Sequence, residues 1–125
     1  MTHKIADAHN NEAGLATVSP QPVSPGILFP RRFFSVDRTP YNDGSPFTRW
    51  IYSMIPPETY AALLSTFGLT TALYNDVTVS VVGDDRTTFA NYNGRIIKPE
   101  PDKDVRYRKG FYRDVMFLIV ELVAI

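Results

Sequence analysis

The residues that could perform acid–base or metal chemistry do not occur in any recognised catalytic or metal-binding pattern. The chain has two histidines, His3 and His9, near its N-terminus. A metal site needs three or four converging ligands, and no cluster near these histidines qualifies. The chain contains no cysteine, which excludes disulfides, Cys-based zinc sites and a thiol nucleophile. We therefore predict neither a metal site nor a bound cofactor.

Two pairs of aspartates could form an acid pair or bind Ca²⁺, but the EF-hand pattern is absent around both. These pairs are Asp84 with Asp85 and Asp102 with Asp104. We interpret them as charged turn tips. Ser53, Ser65 and Ser80 have no nucleophile-elbow context, and the only histidines lie close to the N-terminus. The sequence therefore predicts a protein that is not an enzyme.

One stretch, Arg106–Arg113, alternates basic and aromatic residues. This composition is typical of a surface that binds RNA or a single strand. Its Lys-Gly-Phe segment begins like a strand of the RNA-recognition motif, but the next three residues break that signature, and the sequence offers no counterpart of the second signature strand of that motif (RNP2). The alternative is a hairpin arm that contacts an adjacent subunit. Its candidate contact residues are Arg106, Tyr107, Arg108, Lys109 and Phe111.

The chain has 125 residues and a net charge near zero at pH 7. This length allows one domain with a real core. Balanced charge does not favour a general nucleic-acid binder or a polybasic membrane anchor. The longest apolar run, Val115–Ile125, contains Glu121 and is about half the ~20 residues that span a bilayer as a helix. No signal-peptide core stands at the N-terminus, and we predict no membrane insertion.

The elements that must position any site are organised around a strand, Thr48–Ile55, and the helix that follows it. Alternation along Thr48–Ile55 predicts the strand, with Trp50, Tyr52 and Met54 on one face. The helix is predicted over Pro57–Phe67, because proline suits a first helical turn and the next residue, a glycine, suits the left-handed position that ends helices. Its apolar face must pack on a sheet, and it comprises Tyr60, Leu63, Leu64 and Phe67.

The rest of the chain is strand-like. Arg31–Arg38 alternates, and turn residues at Thr39–Gly44 predict a hairpin between it and Phe47–Ile55. Val77–Val82 is a strong β run that ends in a tight turn. Arg86–Lys98 resumes as a strand, and its interruption predicts a bulge or a second turn.

The last part of the chain combines a charged loop with a long strand. The loop is predicted at Pro99–Lys109, between two strands. The strand, Phe111–Ile125, is predicted to alternate strictly, with Asp114 and Leu122 on one face and Phe117 and Ile119 on the other. Both faces are apolar, which predicts that the core covers one face and a second subunit or another element covers the other. The interruption in the preceding strand lies at Asn91–Gly94.

Residues 1–30 are rich in proline and small polar residues, and they bury too little apolar surface to offset their ordering entropy. We therefore predict an extended, Pro-rich arm at 1–30 and a folded domain at 31–125. A neighbouring chain is the expected partner of this arm, with Ile27, Leu28 and Phe29 as anchors. Packing of the arm on its own domain is the alternative.

This succession of elements resembles the minor tail proteins of long-tailed bacteriophages, particularly the lambda-type protein M group, and the wider tail-tube and distal-tail family. The resemblance is carried by Arg49–Tyr60 with its two prolines, then by Leu63–Leu64 and Phe67–Gly68. The turn Pro40–Gly44 and the closing strand Tyr112–Ile125 occupy matching places. The resemblance covers residues 31–125, and the Pro-rich arm departs from it.

The resemblance implies a mainly β domain with one packed helix (α+β), an antiparallel β-sandwich or barrel-like sheet of the tail-tube kind. It also implies subunits that close into a ring, usually six-fold, which lines the DNA channel. The expected location is the virion tail, assembled in the bacterial host cytoplasm. The expected partners are further copies of the chain and other tail proteins, with DNA only passing through.

Alternative functions remain open at this point. One is a neck or tail-terminator protein, or an adaptor in another assembly. Another is a nucleic-acid-binding β module that uses Arg106–Arg113.

Overall fold

A computed structural model describes residues 2–34, 36–83, 85, 87–99, 106–108 and 110–125, with the backbone alone described at 31–34, 41–43 and 106–108. These residues form nine β-strands, one α-helix and a 3-10 turn at Glu12–Gly14. The strands are β1 (Lys4–Asp7), β2 (Ala16–Thr17), β3 (Arg31–Phe34), β4 (Pro40–Asp43), β5 (Thr48–Ile55), β6 (Tyr74–Val82), β7 (Phe89–Ile97), β8 (Arg106–Arg108) and β9 (Phe111–Ala124), and the helix α1 spans Pro57–Phe67.

Most of the strands form one antiparallel sheet. Its order is β2-β1-β6-β7-β9-β5, and β8 pairs with the beginning of β9. β3 and β4 form a separate two-stranded sheet. The molecule is mainly β with one helix, so the predicted α+β class is confirmed at this level.

The helix α1 has the bounds that the sequence predicts. Pro57 occupies its first turn, and Gly68 follows its end with φ 73° and ψ 28°, a left-handed conformation. Leu69 N donates to Leu64 O at 2.8 Å, which satisfies one of the last helical carbonyls. Proline and glycine thus set both ends of the helix.

The predicted apolar face of α1 packs on the sheet. Leu63 and Phe67 are fully buried, and Tyr60 and Leu64 pack against the same core. The ring of Phe67 lies 5.6 Å from that of Trp50 and 4.9 Å from that of Phe117, measured between centroids. Since Trp50 lies on β5 and Phe117 on β9, the helix covers the inner face of these two strands.

The closing strand β9 does not keep the strict alternation that we expected. The side chains it turns to the core are Tyr112, Val115, Phe117, Ile119 and Leu122. Core-facing residues of a regular strand are two positions apart, but Tyr112 and Val115 are three apart, and so are Ile119 and Leu122. Each of these longer intervals contains a residue with positive φ: Asp114 at 53° and Glu121 at 56°. Strict alternation predicts that Leu122 lies on the same face of the strand as Asp114 and on the other face from Ile119. That part of the prediction is wrong, because Leu122 and Ile119 both face the core.

The irregularity at Glu121 coincides with a register shift of the β7–β9 pairing between Asn93 and Arg95. A Cβ on Gly94 would lie 2.9 Å from Leu122 Cδ2 and 3.3 Å from Val120 O. The bulge therefore requires a glycine opposite it. Of the two predicted readings of the interruption at Asn91–Gly94, the second turn is wrong, because β7 continues through it. A bulge does occur at this place, but its extra residue lies on β9 and not on β7.

The predicted hairpin between Arg31–Arg38 and Phe47–Ile55 is wrong. β3 pairs with β4, with Arg31 opposite Asp43, and β5 pairs with β9. Pro40 opens a strand instead of a turn, because a proline is compatible with the first residue of an edge strand. The turn itself lies earlier, where Asp37 Oδ1 accepts a hydrogen bond from Thr39 N at 3.1 Å.

The division into an arm at 1–30 and a domain at 31–125 is also wrong. β1 lies inside the sheet between β2 and β6, and Ile5 and Val18 belong to the core. Lys4 pairs with Ser80, a partner far away in sequence. The Pro-rich segment is thus part of the folded unit.

The segment after β2 connects the two ends of the sheet. Val18 N donates to His3 O at 3.0 Å, and Val23 exchanges backbone hydrogen bonds of 3.0 and 2.8 Å with Ile51 of β5. The rings of His3 and Trp50 lie 5.8 Å apart, although β1 and β5 stand near opposite ends of the strand order. The sheet therefore curls around the core, and residues 18–23 bridge its edges.

Candidate functional site

The first group of predicted contact residues, Ile27–Phe29, lies at the root of the β3–β4 sheet. Leu28 and Phe47 exchange two backbone hydrogen bonds, of 2.7 and 2.8 Å. Ile27 packs against the core, whereas Phe29 is 40% exposed. Two of the three predicted anchors are therefore held by their own chain, and Phe29 is the one that offers exposed apolar surface.

The chain between the paired residues Leu28 and Phe47, residues 29–46, contains the β3–β4 hairpin. Gly44, with φ 86°, packs against Pro30: a Cβ on Gly44 would lie 2.9 Å from Pro30 Cγ. Within the described chain, β3 and β4 pair only with each other. Val36, in the connection between them, is fully exposed at 106%. This segment is a β-hairpin with a fixed root and an apolar side chain near its tip.

The second group of predicted contact residues surrounds β8. Arg106 lies opposite Arg113 and Tyr107 opposite Tyr112 in the β8–β9 pairing, so part of the predicted loop is a strand. Phe111 is 40% exposed. The side chains of β8 are not described, and Lys109 and residues 100–105 lie outside the described residues.

The structure does not bring these two groups together. The first group adjoins the Thr48 end of β5, where Leu28 pairs with Phe47. The second adjoins the Ile55 end, since Ile55 pairs with Tyr112. Seven residue steps of about 3.3 Å separate these ends, or roughly 23 Å. The predicted contact residues therefore belong to two separate surfaces.

His3 and Gln21 form the joint between β1 and the bridging segment. His3 N donates to Gln21 Oε1 at 2.8 Å, and Gln21 Nε2 donates to His3 O at 3.0 Å. The imidazole is 7% exposed and packs edge-on against Trp50 and Phe89. Burial lowers the pKa of His3, and the hydrogen bond to Gln21 opposes this effect only in part. His3 is therefore a neutral core side chain.

A polar cluster that the sequence pattern does not predict lies on the outer face of β6 and β7. Arg95 Nε donates to Asp76 Oδ1 at 2.9 Å, and its guanidinium lies 4.4 Å from the centre of the Tyr74 ring. The hydrogen bond to Asp76 raises the pKa of Arg95. His9 Nε2 lies 3.0 Å from Gly94 O and 3.9 Å from Asp76 Oδ1. Only the two-residue spacing of Tyr74 and Asp76 signalled this cluster, and its charges are already paired.

Asp85 is a charged turn tip, as predicted. Its carboxylate accepts hydrogen bonds from Thr88 Oγ1 at 2.6 Å and from the backbone N of Thr87 and Thr88 at 3.0 Å each. These bonds, with the Thr88 side chain first, lower the pKa of Asp85 to about 2. Asp84, Asp102 and Asp104 lie outside the described residues.

The described residues contain no group of three or more His, Cys, Asp or Glu side chains placed to hold a metal ion. No helix in that part of the chain is long and apolar enough to cross a membrane.

The chain matches no protein-family model, no curated protein and no solved structure.

Proposed function

We propose that this protein is a structural component of a long-tailed bacteriophage virion, and that copies of it form a ring in the tail tip or tail tube. The succession of elements that resembles minor tail proteins motivates the class. The observation that carries the proposal is the β-hairpin formed by residues 29–46, which stands apart from the main sheet.

A two-stranded hairpin is only marginally stable by itself in water. This one has a firm root, because Leu28 is hydrogen-bonded to Phe47 and Gly44 packs on Pro30. Beyond the root, its strands pair only with each other among the described elements, and Val36 is fully exposed. A surface on a neighbouring subunit would stabilise the hairpin by burying its apolar residues.

The separation of the two contact surfaces supports a ring. In a head-to-tail contact, one patch of a subunit meets a different patch of the next, and the assembly closes when the rotation permits. Phe29 is exposed at one end of β5 and Phe111 near the other. In our proposal the hairpin end of one subunit meets the β8 end of the next.

The curled sheet supports the finer assignment to a tail-tube-like architecture. A strongly curved sheet with one helix on its inner face can present its outer strands to a channel and its ends to neighbouring subunits. The six-fold symmetry, the passage of DNA through the ring and the joining of other tail components come from the resemblance, and they are part of the proposal.

The test removes the hairpin while keeping its root. Residues 31–43 are replaced by a short Gly-Ser linker between Pro30 and Gly44, and mass is measured by light scattering together with electron microscopy of negatively stained particles. We expect the full chain to form rings with a central opening. The variant should remain a folded monomer, because the main sheet keeps all its strands.

A pair of point variants provides a matched control. Val36→Asp places a charge near the hairpin tip, whereas Val123→Asp does so on an exposed site of β9, at 62% exposure. We expect Val36→Asp alone to abolish rings. Rings that survive both the deletion and Val36→Asp would exclude the hairpin contact. A monomer that binds a labelled oligonucleotide with steep salt dependence would favour the nucleic-acid alternative instead. Flanking genes that encode no virion proteins would contradict the phage-tail assignment.

A further inference from the structure

The outer edge of β5 is only partly occupied. The bridging segment pairs with this edge at Ile51, through Val23, and again beside Thr48, where Leu28 bonds to Phe47. Towards the N-terminus the segment leaves β5, because the side chain of Gln21 is hydrogen-bonded to both backbone groups of His3. In the described chain, no strand pairs with the outer edge of β5 from Ser53 to Ile55.

An open groove of about 450 Å³ lies where the segment departs from β5. Residues 19–21 form one wall, and the end of β5 with the first turn of α1 forms the other. Two apolar side chains border it in exposed positions: Val23 is 72% exposed and Met54 49%. No side chain that lines the groove carries a charge at neutral pH.

A hydrogen bond holds the wall formed by residues 19–21 in place. Tyr52 OH donates to Pro20 O at 2.8 Å. Burial raises the pKa of the Tyr52 phenol above its ordinary value, so the hydroxyl stays a donor at neutral pH. This hydrogen bond ties Pro20 to β5 across the groove, which Val23 and Pro56 also line.

We propose that this groove binds an extended, uncharged peptide segment of another protein. The bound segment pairs with β5 between Ser53 and Ile55, on the same edge of the strand at which Val23 pairs with Ile51. In strand addition of this kind, backbone hydrogen bonds provide affinity and side-chain pockets provide specificity. A charged segment would lose hydration without gaining a partner. Residues 19–21 and Pro56 line the same groove as this edge, so we take the occupant to be a single extended segment and not the sheet edge of a folded second copy.

This proposal is independent of the ring, and its test starts from the unaltered full chain. The probe is a synthetic octapeptide of alternating threonine and valine, acetylated and amidated so that it carries no charge. Its binding is followed by NMR in isotope-labelled protein. We expect the largest changes in amide shift at Ile51–Pro56 and Val23. Two further versions of this peptide carry an N-methyl group on every second backbone amide, one on the odd residues and one on the even residues. One version should lose binding, because its methylated amides are those that would donate hydrogen bonds to β5.

A pair of variants locates the site. Ser53 is exposed, so Ser53→Trp fills the groove without disturbing the core, and Ser53→Ala is the matched control. We expect Ser53→Trp to weaken peptide binding about tenfold or more, which is ~1.4 kcal/mol or more. Ser53→Ala should stay within about twofold of the unaltered chain.

Three results would overturn the proposal. One is the absence of shift changes at the groove with the octapeptide. Another is equal binding of both N-methylated peptides, or of a peptide with lysine in place of threonine, which would indicate a pocket that reads side chains. The third is self-association that Ser53→Trp abolishes and the hairpin deletion does not, which would identify a second copy as the occupant. If Ser53→Trp fails to fold, the comparison of methylated peptides still decides.

Discussion

At the scale of single residues, the protonation state of the His3 side chain affects the stability of the sheet. The backbone of His3 is hydrogen-bonded to the backbone of Val18 and to the side chain of Gln21. Its ring packs against those of Trp50 and Phe89. Among the described residues, the ring contacts the amide of Gln21 and the rings of Trp50 and Phe89, and none of these three carries a negative charge. A proton on this imidazole would therefore be buried without compensation.

This environment predicts a pH dependence of stability. The pKa of His3 in the folded chain lies below the ordinary value of 6.5, so the unfolded chain binds the proton more readily. The stabilising contribution is complete above the unfolded pKa, and it is lost as the pH falls through the folded pKa. We expect the melting temperature of the unaltered chain to fall between about pH 7 and pH 5.

The variant His3→Gln isolates this effect from the titration of carboxylates. It removes the titrating group, so the difference in unfolding free energy between the unaltered chain and His3→Gln should shrink as the pH falls. Thermal melts of both proteins across this pH range provide the measurement. A difference that stays constant with pH would show that His3 does not titrate as its surroundings require.

Some residue-level features could be read from the sequence and others could not. Pro57 and Gly68 announce the ends of α1, because each has a conformational property that few other residues share. Asp114 and Glu121 adopt positive φ without being glycine. Aspartate tolerates this conformation better than most residues, but it does so in turns as well, and glutamate gives no such signal. The phase of β9 depends on them, which is why strict alternation failed there.

At the scale of elements, the bulge between β7 and β9 sets which side of the closing strand reaches the core. Glu121 adds a residue to β9, and Leu122 then returns to the buried side with 4% exposure. Gly94 makes room for it on the opposite strand. The site is visible in the sequence as an interruption of β7, but no sequence pattern shows that the extra residue lies on the partner strand β9.

Gly94→Ala tests this arrangement. The new Cβ would lie 2.9 Å from Leu122 Cδ2 and 3.1 Å from Ile119 Cγ2, both in the core. We expect a loss of about 1–3 kcal/mol in the free energy of unfolding, as for other overpacked cores. Gly83→Ala is the matched control, because its Cβ would meet atoms only at 3.6 Å or beyond. Denaturant titrations that give equal stabilities for the two variants would contradict the close packing at the bulge.

At the scale of the whole molecule, the misread region is the N-terminal segment. Composition predicted an arm, and residues Ile5 and Val18 instead belong to the core. Proline content reports on local propensity, whereas β1 is stabilised by pairing with β6, a contact that no local pattern reveals. The same limitation applies to the candidate site, because the sequence offers candidate contact residues but their placement on two surfaces depends on the register of β5.

Deleting residues 2–17 tests the corrected organisation. The deletion removes β1 and β2, exposes the edge of β6 and takes Ile5 out of the core. We expect the truncated chain to lose cooperative thermal unfolding and its dispersed NMR spectrum. A truncated chain that melts as the full chain does would restore the predicted division into arm and domain.

The position of β1 inside the sheet also has a consequence for how the protein is made. On the ribosome, β1 emerges before β6, and β5 emerges before β9, yet these pairs are adjacent in the finished sheet. β1 must wait for β6, and β5 must wait for β9, so the sheet is completed only when the last strand has emerged, and long-range pairing of this kind slows folding. The prolines between β2 and β3 serve this interval well, because a proline-rich stretch is a poor template for pairing with other nascent chains.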